Sequence, residues 1–161
     1  MTRLMVPVPL RWADLDAYGH VNNVAVMRLL EEARIAAFWR HPEAADPDAA
    51  PAAVLDAGPG AQTHTLVARQ EVEYLLPIAY RRDPVTVEMW LGHLGGASID
   101  VCYQLTGEVD GERRVFVQAT TTLVLIDAAT GRPRRITPDE RETWGSFLDE
   151  PVALRRRGTP A

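Results

Sequence analysis

The segment at residues 24–39 restricts the possible folds more than any other part of the sequence. It contains no glycine or proline and is rich in alanine, leucine, methionine, glutamate and arginine, a composition that favours a helix. Its polar residues form only a thin strip, made of Arg28, Glu31, Glu32 and Arg34. A helix that is apolar around most of its circumference is buried on most sides. The fold must therefore surround one long helix.

Alternating apolar and polar residues predict four long strands after this helix, at 65–76, 85–91, 98–105 and 115–126. A shorter first strand is predicted at residues 6–12. Glycine-rich stretches at 92–96 and 107–111 are typical of hairpin turns, so neighbouring strands should be antiparallel. The economical arrangement is an α+β fold in which a curved antiparallel β-sheet wraps around one long central helix. Such a sheet keeps an open edge, and pairing of two copies would cover it.

The length of 161 residues suits one domain, which we predict over residues 1–150. Residues 42–60 are rich in alanine, proline, aspartate and glycine and predict a mobile loop, and residues 138–148 predict a short terminal helix. Residues 151–161 predict a flexible arginine-rich tail. No apolar run approaches the ~18–20 residues of a membrane span, and the first residues do not resemble a secretory signal, so we expect a cytoplasmic protein.

The composition excludes several kinds of site. All 17 basic residues are arginine, which removes Schiff-base chemistry and Walker-type phosphate loops. The only serines, Ser98 and Ser146, lie outside any G-x-S-x-G motif, and the only cysteine, Cys102, rules out an internal disulfide and multi-cysteine metal sites. His64 and His93 show no metal-ligand spacing, so no metal site is predicted. A net charge of -5 argues against nucleic acid as a partner.

Two acidic residues, Asp14 and Asp16, lie in a turn-rich stretch directly before the predicted helix, which Asn22 and Asn23 are suited to cap. We refer to residues 14–20 as the acidic turn. A helix N-terminus presents unpaired N–H groups and a partial positive potential, which polarise a carbonyl toward an oxyanion. A carboxylate in the turn could then attack the carbonyl carbon or activate a water molecule. The pattern therefore indicates acyl-transfer chemistry, although the same residues also suit an ordinary turn and cap.

Residues 11–23 read RWADLDAYGHVNN and are followed by the Glu31-Glu32-Ala33-Arg34 segment of the helix. This sequence resembles the opening motif of hotdog-fold acyl-CoA thioesterases of the 4-hydroxybenzoyl-CoA thioesterase-like branch, which show D-x-D-x-x-G-H-V-N-N. The resemblance extends to residues 74–77, 83–85 and 95–98. It implies a hotdog fold and hydrolysis of an acyl-CoA thioester, with coenzyme A as part of the substrate and no separate cofactor.

The resemblance also implies roles for individual residues. Asp16, the second aspartate of D-x-D, becomes the catalytic carboxylate, as a nucleophile or as a general base. Asn23 donates its backbone N–H to the thioester carbonyl. His20 binds substrate, assists proton transfer or merely orders the turn. Asp14, judged from its place in the turn and not from the resemblance, is expected to be structural, either hydrogen-bonding the loop or pairing with Arg11.

A coenzyme A substrate needs cationic contacts for its phosphates. Arg81 and Arg82, together with Ser98, are the predicted contacts, and the arginine clusters at 113–114 and 132–135 remain alternatives. Val26 stands where the family often has an aromatic residue, so the shape of the acyl pocket stays open.

Several alternatives remain. Another hotdog branch places its catalytic carboxylate on the central helix, but Glu31 and Glu32 stand at ion-pair spacing from Arg34 and Arg28. A hydratase or dehydratase of the same fold uses a D-x-N-P-x-H pattern, in which aspartate and histidine are one residue further apart than Asp16 and His20. A non-catalytic protein that binds acyl-CoA or an acyl-carrier protein is the other alternative. We expect a homodimer or homotetramer in each case.

Overall fold

The computed structural model describes residues 2–40, 51–56 and 58–155. Along the chain these residues form β1 (Leu4–Val8), a 3-10 turn (Trp12–Asp14), α1 (Asn23–Phe38), β2 (Trp39–Arg40), β3 (Leu55–Asp56), β4 (Thr63–Tyr74), β5 (Val85–Leu94), β6 (Ser98–Val109), β7 (Glu112–Asp127) and α2 (Pro138–Gly145). The main sheet has the order β1-β5-β6-β7-β4, and all of its neighbouring strands are antiparallel. A two-stranded parallel pair, β2 and β3, follows the long helix.

The sheet curves around α1, as the apolar circumference of the helix predicts. Register shifts leave one extra residue in each of β4, β5 and β7, and such bulges bend a strand and increase its twist. Seven residues of α1 are buried, namely Val26, Leu29, Leu30, Ala33, Arg34, Ala37 and Phe38. One face of β7 is buried along most of its length, since Val117, Ala119, Thr121, Leu123 and Leu125 are all buried.

Prediction of the first strand was wrong beyond residue 8. Pro9 has no backbone N–H to donate to a neighbouring strand, and residues 12–14 form the 3-10 turn instead. The turn is held by Asp14, whose carboxylate accepts from the backbone amide of Arg11 at 2.7 Å.

The remaining boundaries differ by shorter lengths. Strands β5 and β6 continue into both predicted hairpin stretches, and the β6–β7 turn is reduced to Asp110 and Gly111, which have φ of 52° and 78°. Helix α2 ends at Gly145, earlier than predicted. In the predicted loop at 42–60, residues 41–50 and 57 lie outside the described residues, while Leu55–Asp56 forms β3. Of the predicted tail, residues 156–161 lie outside the described part of the chain.

Strand β4 is an edge of the main sheet, paired on one side only with β7. Two of its large apolar side chains are exposed, Leu66 at 58% and Val67 at 48%. Within the described ranges, none of the helices is long and apolar enough to cross a membrane.

Candidate active site

The acidic turn is the loop of a very small hairpin. Leu15 and Val21 form an antiparallel bridge, and the Asp16 amide donates to the His20 carbonyl at 2.8 Å. The Gly19 amide donates in turn to the Asp16 carbonyl at 3.2 Å. Gly19 has φ of 78°, a left-handed conformation that glycine adopts without the steric cost of a side chain. The turn therefore holds the Asp16 side chain at a fixed place beside the start of α1.

The two oxygens of the Asp16 carboxylate have different surroundings. Oδ1 accepts from the backbone amides of His20, at 3.1 Å, and Tyr18, at 2.8 Å. These two bonds stabilise the charged form and lower the pKa of Asp16 below its ordinary value. No donor to Oδ2 is found among the described residues. At neutral pH the group is thus an ionised carboxylate with one oxygen available.

Asp14 has a different role, because its side chain is only 1% exposed. Its Oδ1 accepts from Arg11 at 3.1 Å, which confirms the predicted pairing, and from Arg28 of α1 at 2.6 Å. Burial raises the pKa of Asp14, but the hydrogen bonds from Arg11 and Arg28 outweigh it and the net pKa is lowered. The backbone carbonyl of Asp14 also accepts from the Asn22 amide at 2.7 Å. Asp14 therefore fastens the acidic turn to the helix.

Helix α1 begins beside this turn with Asn22 as its N-cap. The Asn22 Oδ1 accepts from the Val24 amide at 2.9 Å, and the Asn22 carbonyl accepts from the Val26 amide at 3.0 Å. Asn23 is the first helical residue, and no acceptor for its own amide is found within residues 2–40, 51–56 and 58–155. That N–H group is available to an oxygen of a bound molecule.

A cleft of about 390 Å³ brings the three predicted catalytic residues together, since Asp16, His20 and Asn23 all line it. Its apolar walls come from Val26, Leu76, Ile78 and Val117, among other residues. The cleft thus combines charged and polar groups with an apolar surface. This arrangement suits a molecule with an apolar group next to a polarised carbonyl.

Tyr74, which is not among the predicted site residues, also lines this cleft. Its hydroxyl lies 3.5 Å from the Asn23 carbonyl, at the first turn of α1. Partial burial raises the pKa of the phenol, so the hydroxyl stays protonated at neutral pH. Residues 74–77 belong to the family resemblance, and this could have indicated that Tyr74 is a site residue.

Arg81, Arg82 and Ser98 are not among the described residues that line the cleft. Arg81 donates to the Glu108 carbonyl at 2.6 Å, and its guanidinium lies 5.6 Å from the centre of the Phe116 ring. Arg82 is exposed. Ser98 pairs with Val124 of β7. Val124 lies seven residues along this strand from Val117, which lines the cleft, and at the usual rise per residue the two are about 23 Å apart. Within a single described chain, none of these three side chains lines the cleft.

The alternative carboxylates on α1 form the predicted ion pairs. Glu32 pairs with Arg28, and Glu31 lies 3.7 Å from Arg34, whose buried guanidinium also donates to the Tyr103 hydroxyl at 3.0 Å. Cys102 is buried, and burial raises the pKa of its thiol. Among the residues described, no group of three or more histidine, cysteine, aspartate or glutamate side chains could hold a metal ion.

The family model and the similar solved structures agree on the family of this chain. The family model described as the thioesterase-like superfamily matches residues 10–144. A thioesterase from Thermus thermophilus, complexed with coenzyme A and Zn, is 31% identical over 89% of this chain and 92% of its own, with a TM-score of 0.65. The PA2801 protein of Pseudomonas aeruginosa is 28% identical over 86% of this chain and 95% of its own, with a TM-score of 0.66.

A predicted thioesterase of Bacillus stearothermophilus has a TM-score of 0.71 at 20% identity, over 94% of this chain and 100% of its own. At that identity the likeness concerns the fold alone, and it agrees with the curved sheet around one helix. No curated protein matches the chain.

Proposed function

The chain belongs to the thioesterase-like superfamily and is a thioester hydrolase with the hotdog fold, and from this premise we propose that it hydrolyses an acyl-CoA thioester to a free acid and coenzyme A. One observation carries the proposal. The available oxygen of Asp16 and the available amide of Asn23 belong to two groups that line the same cleft. The Thermus thermophilus relative, which was crystallised with coenzyme A, supports the choice of substrate.

In the proposed reaction the thioester carbonyl oxygen accepts from the Asn23 amide at the N-terminus of α1. One such donor contributes about 2.7–4 kcal/mol to transition-state stabilisation in acyl transfer. The carbonyl carbon is thereby made more electrophilic, and the C–S bond is the one that breaks. The apolar walls of the cleft would hold the acyl group.

Asp16 then acts in one of two ways. As a nucleophile, its free oxygen attacks the carbonyl carbon and expels the coenzyme A thiolate, and water hydrolyses the resulting anhydride. As a general base, it takes a proton from a water molecule that attacks the same carbon. Both routes consume one water and give one acid and one thiol. The lowered pKa of Asp16 favours the ionised form that either route requires. Coenzyme A enters as part of the substrate.

The test is release of free thiol from a panel of short-chain, long-chain and aromatic acyl-CoAs. Asp16→Asn should lower kcat/KM by about 10²–10⁴-fold, the range for loss of a positioned acid or base. Asp127→Asn is the matched control, because Asp127 is also a turn carboxylate that accepts a backbone amide, from Thr130 at 2.7 Å, but lies outside the cleft. Turnover that survives Asp16→Asn would contradict the assignment. Absence of turnover by the unsubstituted protein on every thioester would favour the binding-protein alternative.

We further propose that the active form is a homodimer or homotetramer joined through β4. No described strand pairs with the outer side of β4, and its exposed Leu66 and Val67 suit a second copy of the chain. Since β4 ends at Tyr74 in the cleft, a partner on this edge would border the site.

A further inference from the structure

Trp12 and Tyr80 form an aromatic stack whose outer face is open. The two ring centroids are 4.3 Å apart and the planes are inclined by 16°. Tyr80 covers one face of the indole, yet Trp12 remains 72% exposed. By contrast, Trp90 and Trp144 are buried. A large aromatic surface left in solvent marks a place where another flat group can bind.

The stack lies beside the candidate active site, on the two segments that build it. Trp12 opens the 3-10 turn that leads into the acidic turn, four residues before Asp16, so that their Cα atoms are at most about 14 Å apart. Tyr80 follows Ala79, which forms a bridge with His20 of the acidic turn. Both members of the stack therefore lie on chain segments that also contribute residues to the cleft, Trp12 before Asp16 and Tyr80 after Ile78.

Exposed arginines flank both members of the stack. Arg11 precedes Trp12; its Nε and Nη2 bond Asp14, and Nη1 has no partner among the described residues. Arg82 is exposed and lies two residues after Tyr80. An open aromatic face whose near neighbours in the chain are exposed arginines matches the chemistry of a nucleotide, a flat heteroaromatic base that carries phosphates.

We propose that the Trp12–Tyr80 stack binds the adenine of the coenzyme A substrate, with Arg11 and Arg82 toward its phosphates. This inference rests on the proposed function and adds a specificity device to it. The thioester is held at Asp16 and Asn23, and the pantetheine arm spans the distance from the cleft to the stack. An acyl group presented on coenzyme A gains this contact, whereas a carrier that lacks the nucleotide does not.

The experiment compares an acyl-CoA with the acyl-pantetheine thioester of the same acid, which lacks the nucleotide. Trp12→Ala should raise KM for the acyl-CoA roughly 5- to 150-fold, the range for loss of one base–aromatic stack, and leave kcat unchanged. KM for the acyl-pantetheine should not change. Trp12→Phe, which keeps a flat ring, should restore most of the affinity for the acyl-CoA.

Three results would overturn the inference. Equal losses on both thioesters would mean that Trp12 only supports the acidic turn. Unchanged KM on both would mean that the nucleotide does not contact it. A smaller assembly of Trp12→Ala by light scattering would mean that a second copy of the chain covers the stack.

Calorimetric titration with adenosine 3′,5′-bisphosphate, the nucleotide end alone, needs no hydrolysis. Binding by the unsubstituted protein that is lost in Trp12→Ala and retained in Trp12→Phe supports the inference even if no thioester is hydrolysed. Equal binding by all three proteins contradicts it even if hydrolysis is rapid. Failure of the proposed function and failure of this inference are therefore distinguishable.

Discussion

The guanidinium of Arg28 donates to the buried carboxylate of Asp14 at 2.6 Å, and through this bond the first turns of α1 hold the acidic turn in place. The same carboxylate accepts from the backbone and side chain of Arg11. Asp14 thus links three chain segments without lining the cleft. The two aspartates therefore have different roles, because Asp14 anchors the acidic turn whereas Asp16 is available to a substrate.

Asp14→Asn should lower the free energy of unfolding near pH 7 by about 1.5–3 kcal/mol, because hydrogen bonds to a charged group are lost at a buried position. The pKa of Asp14 is lower in the folded chain than in the unfolded chain. Its contribution is therefore complete above the unfolded pKa of ~3.9 and is lost as the pH falls through the lower folded pKa. Urea unfolding at a series of pH values measures this, and the two proteins should converge in acid. Equal urea midpoints at pH 7 would contradict the anchoring role, with Asp83→Asn, at an exposed carboxylate, as the control.

We expect the left-handed conformation of Gly19 to set the pKa of Asp16 through the shape of the turn. Alanine at φ of 78° is strained by roughly 1–2 kcal/mol, although a Cβ there would meet no neighbouring atom within 4 Å. Gly19→Ala should therefore shift the turn and weaken the bond from the His20 amide to the Asp16 carboxylate. The pKa of Asp16 should then rise toward its ordinary value, and the acid limb of kcat/KM should move to higher pH.

Gly19→Asn is the matched control, because asparagine tolerates the left-handed conformation better than alanine. Titration of the Asp16 carboxyl carbon by NMR follows the pKa directly. Identical titration of Asp16 in the unsubstituted, alanine and asparagine proteins would show that the turn does not set this pKa.

Local patterns in the sequence were enough to predict the central helix and four of the strands. Periodicity is a property of neighbouring residues, and the apolar circumference of α1 already required a sheet that curves around it. The D-x-D motif placed Asp16, His20 and Asn23 together because all three lie within one short segment. That these three residues lie close together was therefore readable from the chain itself.

Contacts between distant segments were not readable in this way. Tyr74 reaches the first turn of α1 only through the pairing of β4 with β7, and the sequence gives no register for that pairing. Arg81 was expected to meet phosphates, but it donates to the Glu108 carbonyl, which lies 27 residues later.

The exposed edge of β4 predicts how the chain assembles. A double substitution, Leu66→Lys with Val67→Lys, should separate the assembly into single chains, because charged residues on an edge strand oppose pairing. Met5→Lys on β1, the opposite edge of the same sheet, is the control and should leave the assembly intact. Light scattering measures the mass against the 17.8 kDa of one chain. A mass of one chain for the unsubstituted protein would show that β4 needs no partner.

The hydroxyl of Tyr74 is the remaining polar group that we expect to act on the substrate. It stays protonated at neutral pH because burial raises its pKa, and its only hydrogen-bonding contact among the described residues is the 3.5 Å approach to the Asn23 carbonyl. A bound thioester that accepts from the Asn23 amide would lie close enough to receive a second hydrogen bond from this phenol. Tyr74→Phe should therefore lower kcat/KM about 2- to 12-fold, the value of one net hydrogen bond of about 0.5–1.5 kcal/mol, without changing the urea midpoint.

Tyr103→Phe provides the opposite pattern. Its hydroxyl accepts from the buried Arg34 and lies outside the cleft, so its loss should lower the urea midpoint and leave kcat unchanged. Tyr74→Leu separates the ring from the hydroxyl, since any loss beyond that of Tyr74→Phe reports packing of the acyl group. If Tyr74→Phe matched the unsubstituted protein in kcat/KM while Tyr74→Leu did not, Tyr74 would act only as an apolar wall of the cleft.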